Sequence, residues 1–379
     1  MSIGPIELHR KLRGKLFIGA KVKIKTIDDL SNLYTPGVAK PCLEIAKDKK
    51  LVYDYTMKGN TVAIVTDGTR VLGLGNIGPE AALPVMEGKA LIMQQFAGID
   101  AIPICLDTKD PDEFVKIVKA LSPGFGAINI EDIETPKVFY IEKRLIEELN
   151  IPVFHDDQHG TAIVTLAGLY NALKVVGKSQ DVKIGIVGAG SAGYAISKLL
   201  TFAGFTDIVV FDSKGALSLT RINLDGHKLE LAKMNKSGFS GQLIDFHGAD
   251  VVISAASPGS LPIETITHMN KPNIVFALSN PTSEISLEQA HELKIDVFGT
   301  GRSDYPNQIN NSLCFPGFLR ALLDLRITKI TNEMKVAAAK GIAGSVKNPT
   351  KDKIVPDVFD KKVVKNICKK IKQTIEAEK

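Results

Sequence analysis

The sequence predicts an α/β protein of two domains built on parallel sheets, with C-terminal helices packing back on the first. Three observations carry that expectation. The chain has 379 residues, more than the roughly 250 at which single cores stop growing. Short β-rich runs alternate with helical stretches, the signature of parallel βαβ units. In mid-chain a G-x-G-x-x-G segment, GAGSAG at 188–193, directly follows an apolar run.

The elements follow in order. β-rich runs lie at Val62 to Val65, Ile102 to Leu106, Ala127 to Ile130 and Pro152 to Phe154. Between them the pattern predicts helices over Pro84 to Phe96, over Pro111 to Leu121 with Asp110 as N-cap, and over Pro136 to Leu149 with Thr135 as N-cap. A helix over Thr161 to Val176 leads into a strand at Lys183 to Val187. Further strands fall at Ile208 to Phe211, Val251 to Ser254, Ile274 to Leu278 and Val297 to Gly299, and the chain from about Asn310 onward is helical in pattern. The expected divisions are 1–158, 159–308 and a returning helical segment at 309–379.

Composition excludes several classes. Apolar residues make up 44% and charged residues 23%, the balance of a globular protein. The longest apolar runs are strand-sized, short of the roughly 20 residues that span a bilayer, so no membrane association is expected. The N-terminus shows no export signal, and four scattered cysteines (Cys42, Cys105, Cys314, Cys368) read as reduced, mostly buried thiols; a cytoplasmic location is expected. Net charge is only +5, concentrated in lysines near the C-terminus at helical spacing with Val363, Val364, Ile367, Ile371 and Ile375. With aromatics at 6% and no tryptophan, that run reads as the solvated face of an amphipathic helix and no nucleic-acid role is expected.

GAGSAG alone is a weak signal; its strand-to-helix context makes it a dinucleotide site of the Rossmann type, against a structural glycine turn or a methyltransferase-type loop. Gly188 makes the tight turn, Gly190 lets backbone approach a pyrophosphate, and Gly193 lets helix and strand pack. Ala189, Ser191 and Ala192 complete the loop. Asp212, 24 positions after Gly188, closes the next strand, where a carboxylate accepts from an adenosine ribose. It favours NAD by repelling the 2′-phosphate of NADP, although Lys214 stands ready to neutralise that phosphate.

Every strand of the first domain ends in an acid: Asp67, Asp107, the pair Glu131 and Asp132, and the pair Asp156 and Asp157. Parallel strands bring those ends to one sheet edge, where α/β folds place ligands. Glu131, Asp132 and Asp157 supply oxygen ligands suited to Mg²⁺ or Mn²⁺; helix capping explains one acid per strand but not adjacent pairs. A zinc-hydrolase reading of HDDQH, with His155 and His159 four apart, is weaker because Asp156 stands where that motif needs glutamate. Lys89, expected near the positive end of its helix, would have its pKa pulled down and serve as a base. Tyr34, on a Pro-Gly turn, carries a phenol able to move a proton.

Together these residues resemble the malic enzyme family over about Ser31 to Phe318. The resemblance lies in LYTPGVAKPC, VTDGTRVLGLGNIGPEAALPVMEGKA, INIEDI, FHDDQHGTA, GAGSAG, LSNPT and INNSLCFPG. It implies the short prokaryotic form, with Tyr34 as general acid, Lys89 as general base, and Asp156 in support. Glu131, Asp132 and Asp157 would hold Mg²⁺ or Mn²⁺. Arg70 would clamp a malate carboxylate, Asn280 would sit near nicotinamide and substrate, and Asn310 or Asn311 would bind the substrate carboxylate. The implied reaction is oxidation of L-malate to pyruvate and carbon dioxide with reduction of NAD or NADP, in a homodimer or higher homo-oligomer. Two alternatives stand beside it: a 2-hydroxy-acid dehydrogenase that does not decarboxylate, and a non-catalytic NAD or malate sensor.

Overall fold

A computed structural model describes residues 4–224 and 226–378. Helices α1 (Pro5–Leu12), α2 (Ile27–Leu33), α3 (Ala39–Lys47) and α4 (Val52–Tyr55) come first, and none of them contributes a buried residue. Strands β1 (Thr61–Thr66), β2 (Asp100–Cys105), β3 (Ala127–Ile130) and β4 (Val153–His155) then form a parallel sheet in the order β2-β1-β3-β4. Helices α5 (Pro79–Ala97), α6 (Pro111–Leu121) and α7 (Lys137–Glu148) make the crossovers. Ala63, Val65, Ile128 and Ile130 face Phe114, Val118, Ile141 and Leu145 of α6 and α7, while Val62, Ile64 and Phe154 join the larger core on the other side. With both faces covered, the central strands read as continuous apolar runs.

Helix α8 (Asp156–Val176) buries most of its length and leads into the second sheet. That sheet holds β5 (Lys183–Val187), β6 (Asp207–Asp212), β7 (Gly215–Ala216), β8 (Val251–Ser254), β9 (Ile274–Ala277) and β10 (Val297–Thr300), ordered β10-β9-β8-β5-β6-β7 and parallel except for β7. Its helices are α9 (Ser191–Phe202), α10 (Gly226–Met234), α11 (Ile263–Thr267) and α12 (Leu287–Glu292). Beyond it α13 (Phe315–Asp324) packs on α5 and β3, α14 (Asn332–Ala343) on α8 and α9, and α15 (Lys362–Ala377) on α13 and α14. α15 buries Val363, Ile367 and Ile371 and exposes the lysines between them.

Several helix starts differ from the sequence expectation. α5 begins at Pro79, and Pro84, expected as its first residue, lies inside it. α7 starts at Lys137, and the Thr135 hydroxyl is buried without a hydrogen-bond partner instead of capping it. α8 starts at Asp156, so the expected division after residue 158 falls in its first turn. The α6 cap is as expected, with the Asp110 carboxylate accepting from the amides of Asp112 and Glu113. All four cysteines are free, but only Cys314 is fully buried.

Candidate active site

β3 and β4 lie side by side with Ile130 opposite His155, so Glu131 and Asp132 emerge next to Asp156 and Asp157 at the first turn of α8. Oxygens of Glu131, Asp132 and Asp157 come within 4.8 Å of one another. The Asp132 amide donates to Asp157 Oδ2 at 3.1 Å, and Asn129 Nδ2 donates to Glu131 Oε2 at 2.9 Å. Asp67 and Asp107, the other strand-end acids, stay outside: Asp67 pairs with Lys137 at 2.6 Å and Asp107 is exposed.

Lys89 enters this cluster from the middle of α5, only 8% exposed. Its ammonium donates to Asp156 Oδ2 at 2.5 Å and to Glu131 Oε1. The expected depression of its pKa is not what the structure gives. Burial disfavours the ammonium, but the charges of Asp156, Glu131 and Asp157 outweigh burial and hold Lys89 above its ordinary value. Lys89 is too far along α5 for the helix terminus to act on it, since that influence fades within the first turn. One lysine does not balance four carboxylates. Burial pushes Glu131 well up, Asp132 to about 7 and Asp156 to about 6. Burial acts upward on Asp157 too, but His155 and Lys89 hold it down at about 2.

Among the described residues Asp132 Oδ2 and Asp156 Oδ1 are buried without a hydrogen-bond partner. Orphaned oxygens in an under-neutralised, all-oxygen cluster fit a hard divalent cation such as Mg²⁺ or Mn²⁺. The histidines of HDDQH do not converge with these acids into a zinc site: His159 turns to Glu142 at 2.7 Å and His155 to Gln158 and Asp157.

The GAGSAG loop joins β5 to α9. Gly188 has φ of +106°, and a Cβ there would lie 2.6 Å from the Ala255 carbonyl oxygen; one on Gly193 would lie 1.9 Å from the Gly188 oxygen. Both positions therefore require glycine. Gly188, Ala189 and Gly190 line a cleft of 1220 Å³ that runs past Asp212 and Ser213 and touches Thr135 and Pro136 of the first half, while Ser191, Ala192 and Gly193 open α9 beneath it. Its volume suits a dinucleotide.

Asp212 is not free for a ribose, contrary to expectation. Arg221 donates to both its oxygens, at 2.9 and 3.2 Å, and Lys228 reaches Oδ2 at 2.8 Å. Although partial burial acts the other way, these donors hold Asp212 at about 2. Lys214 contributes only its backbone amide, at 2.9 Å.

Arg70 Nη1 lies 3.8 Å from where a side chain on Gly190 would begin, so its guanidinium spans from the carboxylate half to the nucleotide loop. Asn280 follows β9 and donates to the Gly301 carbonyl at 3.0 Å. Asn310 is occupied, its Oδ1 accepting from the Ser312 amide at 2.9 Å. Asn311 Cβ lies 3.2 Å from the Cβ position of Gly160, which is itself packed against Asp156. Tyr34 is not brought to this site. It is 65% exposed, on a segment with Phe17, Ile18, Val22, Ile24, Ile27, Leu30 and Leu33 also exposed, and its hydroxyl has no hydrogen bond among the described residues.

Sequence reasoning missed Arg221 and Lys228, whose partner lies 9 and 16 residues away. It also missed Glu142 and Gln158, and treated His155 only as a zinc candidate. The local signal was the spacing of His155, Gln158 and His159 along the start of a helix.

A Rossmann loop that Arg70 links to a buried lysine held among carboxylates fits a dinucleotide-dependent oxidoreductase. Residues 14–146 match the malic enzyme N-terminal domain and residues 158–376 the malic enzyme NAD binding domain, and the chain belongs to the malic enzyme family. It is 53% identical over 372 residues to the bifunctional malic/malolactic enzyme of Bacillus subtilis (strain 168), spanning 97% of this chain and 91% of that one. Identity with the NADP-dependent malic enzyme of Salmonella typhimurium is 47% over 337 residues, 87% of this chain and 44% of that one. The crystal structure of the NAD-dependent malic enzyme of Thermotoga maritima matches with a TM-score of 0.94 at 45% identity, covering 98% of this chain and 99% of that chain. Among the described residues no helix is long and apolar enough to cross a membrane.

Proposed function

We propose that this chain oxidises L-malate and releases carbon dioxide to give pyruvate, using NAD or NADP and a divalent cation held by Glu131, Asp132 and Asp157. The observation that carries this reading is the adjacency of the lysine-carboxylate cluster to the nucleotide loop, bridged by Arg70. When bound, the nicotinamide takes the hydride and the cation acts as a Lewis acid while the C4 carboxylate departs. Among the described residues nothing hydrogen-bonds the Arg70 guanidinium, which suits a malate carboxylate. Asn311, whose side chain is not spent on a cap, is the better candidate than Asn310 for the second carboxylate contact. Lys89 removes the C2 hydroxyl proton. Two of the three carboxylates that hold it charged, Glu131 and Asp157, are those a cation would engage, which withdraws their support for the ammonium. Asp156 stays beside Nζ to take or return a proton.

Tyr34 acts as the acid at C3, in the site of a second copy of the chain. Three features support this placement. The helices on either side of Tyr34 have no fully buried residue on their own chain. Leu72, Leu74, Ile77 and Leu83, around the segment that joins β1 to α5 beside the site, are exposed apolar residues in need of cover. The chain exposes 19028 Å², against about 15,000 Å² for a compact monomer of its 40.9 kDa. That excess of about 4,000 Å² is on the scale of obligate homodimer interfaces. Reciprocal exchange of the N-terminal segments would cover both surfaces at once in a symmetric dimer.

At the ribose end, Arg221 and Lys228 outnumber Asp212, so the repulsion expected for NADP is gone and both cofactors are accepted. Four unpaired thiols fit a reducing compartment, the cytoplasm.

The test is an assay with L-malate and Mn²⁺ that follows reduced NAD and NADP while trapping carbon dioxide. Matching amounts of reduced cofactor and carbon dioxide are expected. Reduction without carbon dioxide would make the protein a simple dehydrogenase, and carbon dioxide without net reduction would indicate malolactic turnover. No chemistry with either cofactor would leave a sensor.

A further inference from the structure

We propose that His155 is a positioning residue for the cation site, held in one tautomer by Gln158 so that its Nε2 proton fixes one oxygen of Asp157 and leaves the other for the metal. The proposal rests on reading Glu131, Asp132 and Asp157 as the cation ligands.

Five side chains behind the site form a continuous polar line whose donor directions are forced. At one end Lys335 Nζ lies 3.0 Å from His159 Nδ1, and an ammonium only donates, so Nδ1 accepts and the ring proton sits on Nε2. That Nε2 donates to Glu142 Oε1 at 2.7 Å. Glu142 is a buried carboxylate on α7 and only accepts, so Gln158 must turn its amide nitrogen toward Oε2, 2.7 Å away. The second hydrogen of the same nitrogen points at His155 Nδ1, also at 2.7 Å. His155 therefore accepts at Nδ1 and carries its proton on Nε2.

His155 Nε2 faces Asp157 Oδ2 at 3.4 Å, longer than a formed hydrogen bond, and among the described residues it is buried with no hydrogen-bond partner, so its proton is left for that oxygen. The same Oδ2 accepts from the Asp132 amide at 3.1 Å. With Oδ2 facing two donors, Asp157 would keep Oδ1 available to a cation. Ligands oriented by hydrogen bonds in this way lose roughly 10- to 100-fold in metal affinity when the orienting group is removed.

The experiment measures Mn²⁺ binding to the intact protein by the EPR signal of free Mn²⁺, without malate or nucleotide, in wild type and in His155→Phe, His155→Gln and His155→Asn. A glutamine amide reaches the Nε2 position and donates to Asp157; an asparagine amide reaches only the Nδ1 position. Expected are about tenfold or more weaker binding in His155→Phe and His155→Asn and retention within about threefold in His155→Gln. NAD affinity should be unchanged in all three. His155 also occupies the N-cap of α8, where asparagine is a preferred residue, so a purely capping role predicts the opposite order, with asparagine the best replacement. Equal affinity in the asparagine and glutamine variants, or wild-type affinity in His155→Phe, would overturn the proposal. Should His155→Phe not fold, the asparagine and glutamine pair decides alone. If the wild type itself shows no saturable Mn²⁺ binding, the reading of the cation ligands falls first and this proposal with it.

Discussion

Lys89 Nζ donates to Asp156 Oδ2 at 2.5 Å, joining the middle of α5 to the first turn of α8 inside the protein. Both groups are buried, so the pair has structural as well as chemical consequences. Lys89→Ala is expected to lower kcat for malate by about 10²-fold or more, as loss of a general base does. It also strands Asp156, Glu131 and Asp157 without their counter-charge, which predicts a destabilisation of about 3–5 kcal/mol. Denaturant unfolding beside the assay separates the two, and a variant that kept most of its turnover would remove Lys89 from the mechanism.

Stability should respond to the divalent ion. A ligand at 100 times its dissociation constant stabilises the folded state by about 2.7 kcal/mol. Mg²⁺ or Mn²⁺ added to EDTA-treated protein is expected to raise Tm and restore malate turnover. Asp157→Ala should lose both responses. A Tm indifferent to either metal in the wild type would count against the assignment of Glu131, Asp132 and Asp157.

At the Asp212 end of the cleft, Arg221→Ala and Lys228→Ala are expected to raise KM for NADP much more than for NAD, because only NADP carries the 2′-phosphate those cations would meet. Steady-state kinetics with both cofactors checks this. Equal loss with NAD and NADP would mean that the two residues act only through the shape of the loop around Asp212.

Asp212 also predicts an acid limb. Its folded pKa is about 2, below the ordinary 3.8, so its ionised form stabilises the fold above about pH 4, and that contribution is lost as pH falls toward 2. Asp212→Asn lacks the term at every pH. The stability gap between wild type and variant, read from urea unfolding, should narrow between about pH 4 and pH 2; a constant gap would contradict it.

Exchange of the N-terminal segments has a test by mixing. Tyr34→Phe and Lys89→Ala are each expected to be nearly inactive. Co-expressed, they form heterodimers in which one site pairs an intact Lys89 with an intact Tyr34 from the other chain. Random assortment then gives about a quarter of wild-type activity. If Tyr34 serves its own chain, every site in the mixture lacks one group and activity does not recover.

What was legible in the sequence was local. β3, β5 and β8 occupy the stretches their apolar runs marked, and Asp110 caps α6 because its signal lies within three residues. α5 was misplaced because two prolines five apart both suit a first turn, and the chain uses Pro79 for that role and carries Pro84 inside. That shift moved Lys89 away from the helix end, and the carboxylates that set its charge come from residues 42 and 67 positions on. Asp212 was recognised, but not the arginine and lysine that occupy it, because a loop and a helix must fold back to bring them there. The acids at the ends of β3 and β4 were legible as a cluster, since adjacent parallel strands leave them nowhere else to go. The supporting line through Glu142 and Lys335 joins three helices and has no trace in any one of them.

Helix α8 starts on Asp156 and Asp157 and runs without interruption to the turn before β5. Two acids of one half and the first strand of the other thus lie at the two ends of a single rod. A hinge at this junction has no loop in which to bend, and a cut there unwinds the turn that presents the carboxylates. The two halves are therefore not interchangeable cassettes: recombination that grafted this nucleotide sheet onto another partner would carry half of the acidic cluster with it.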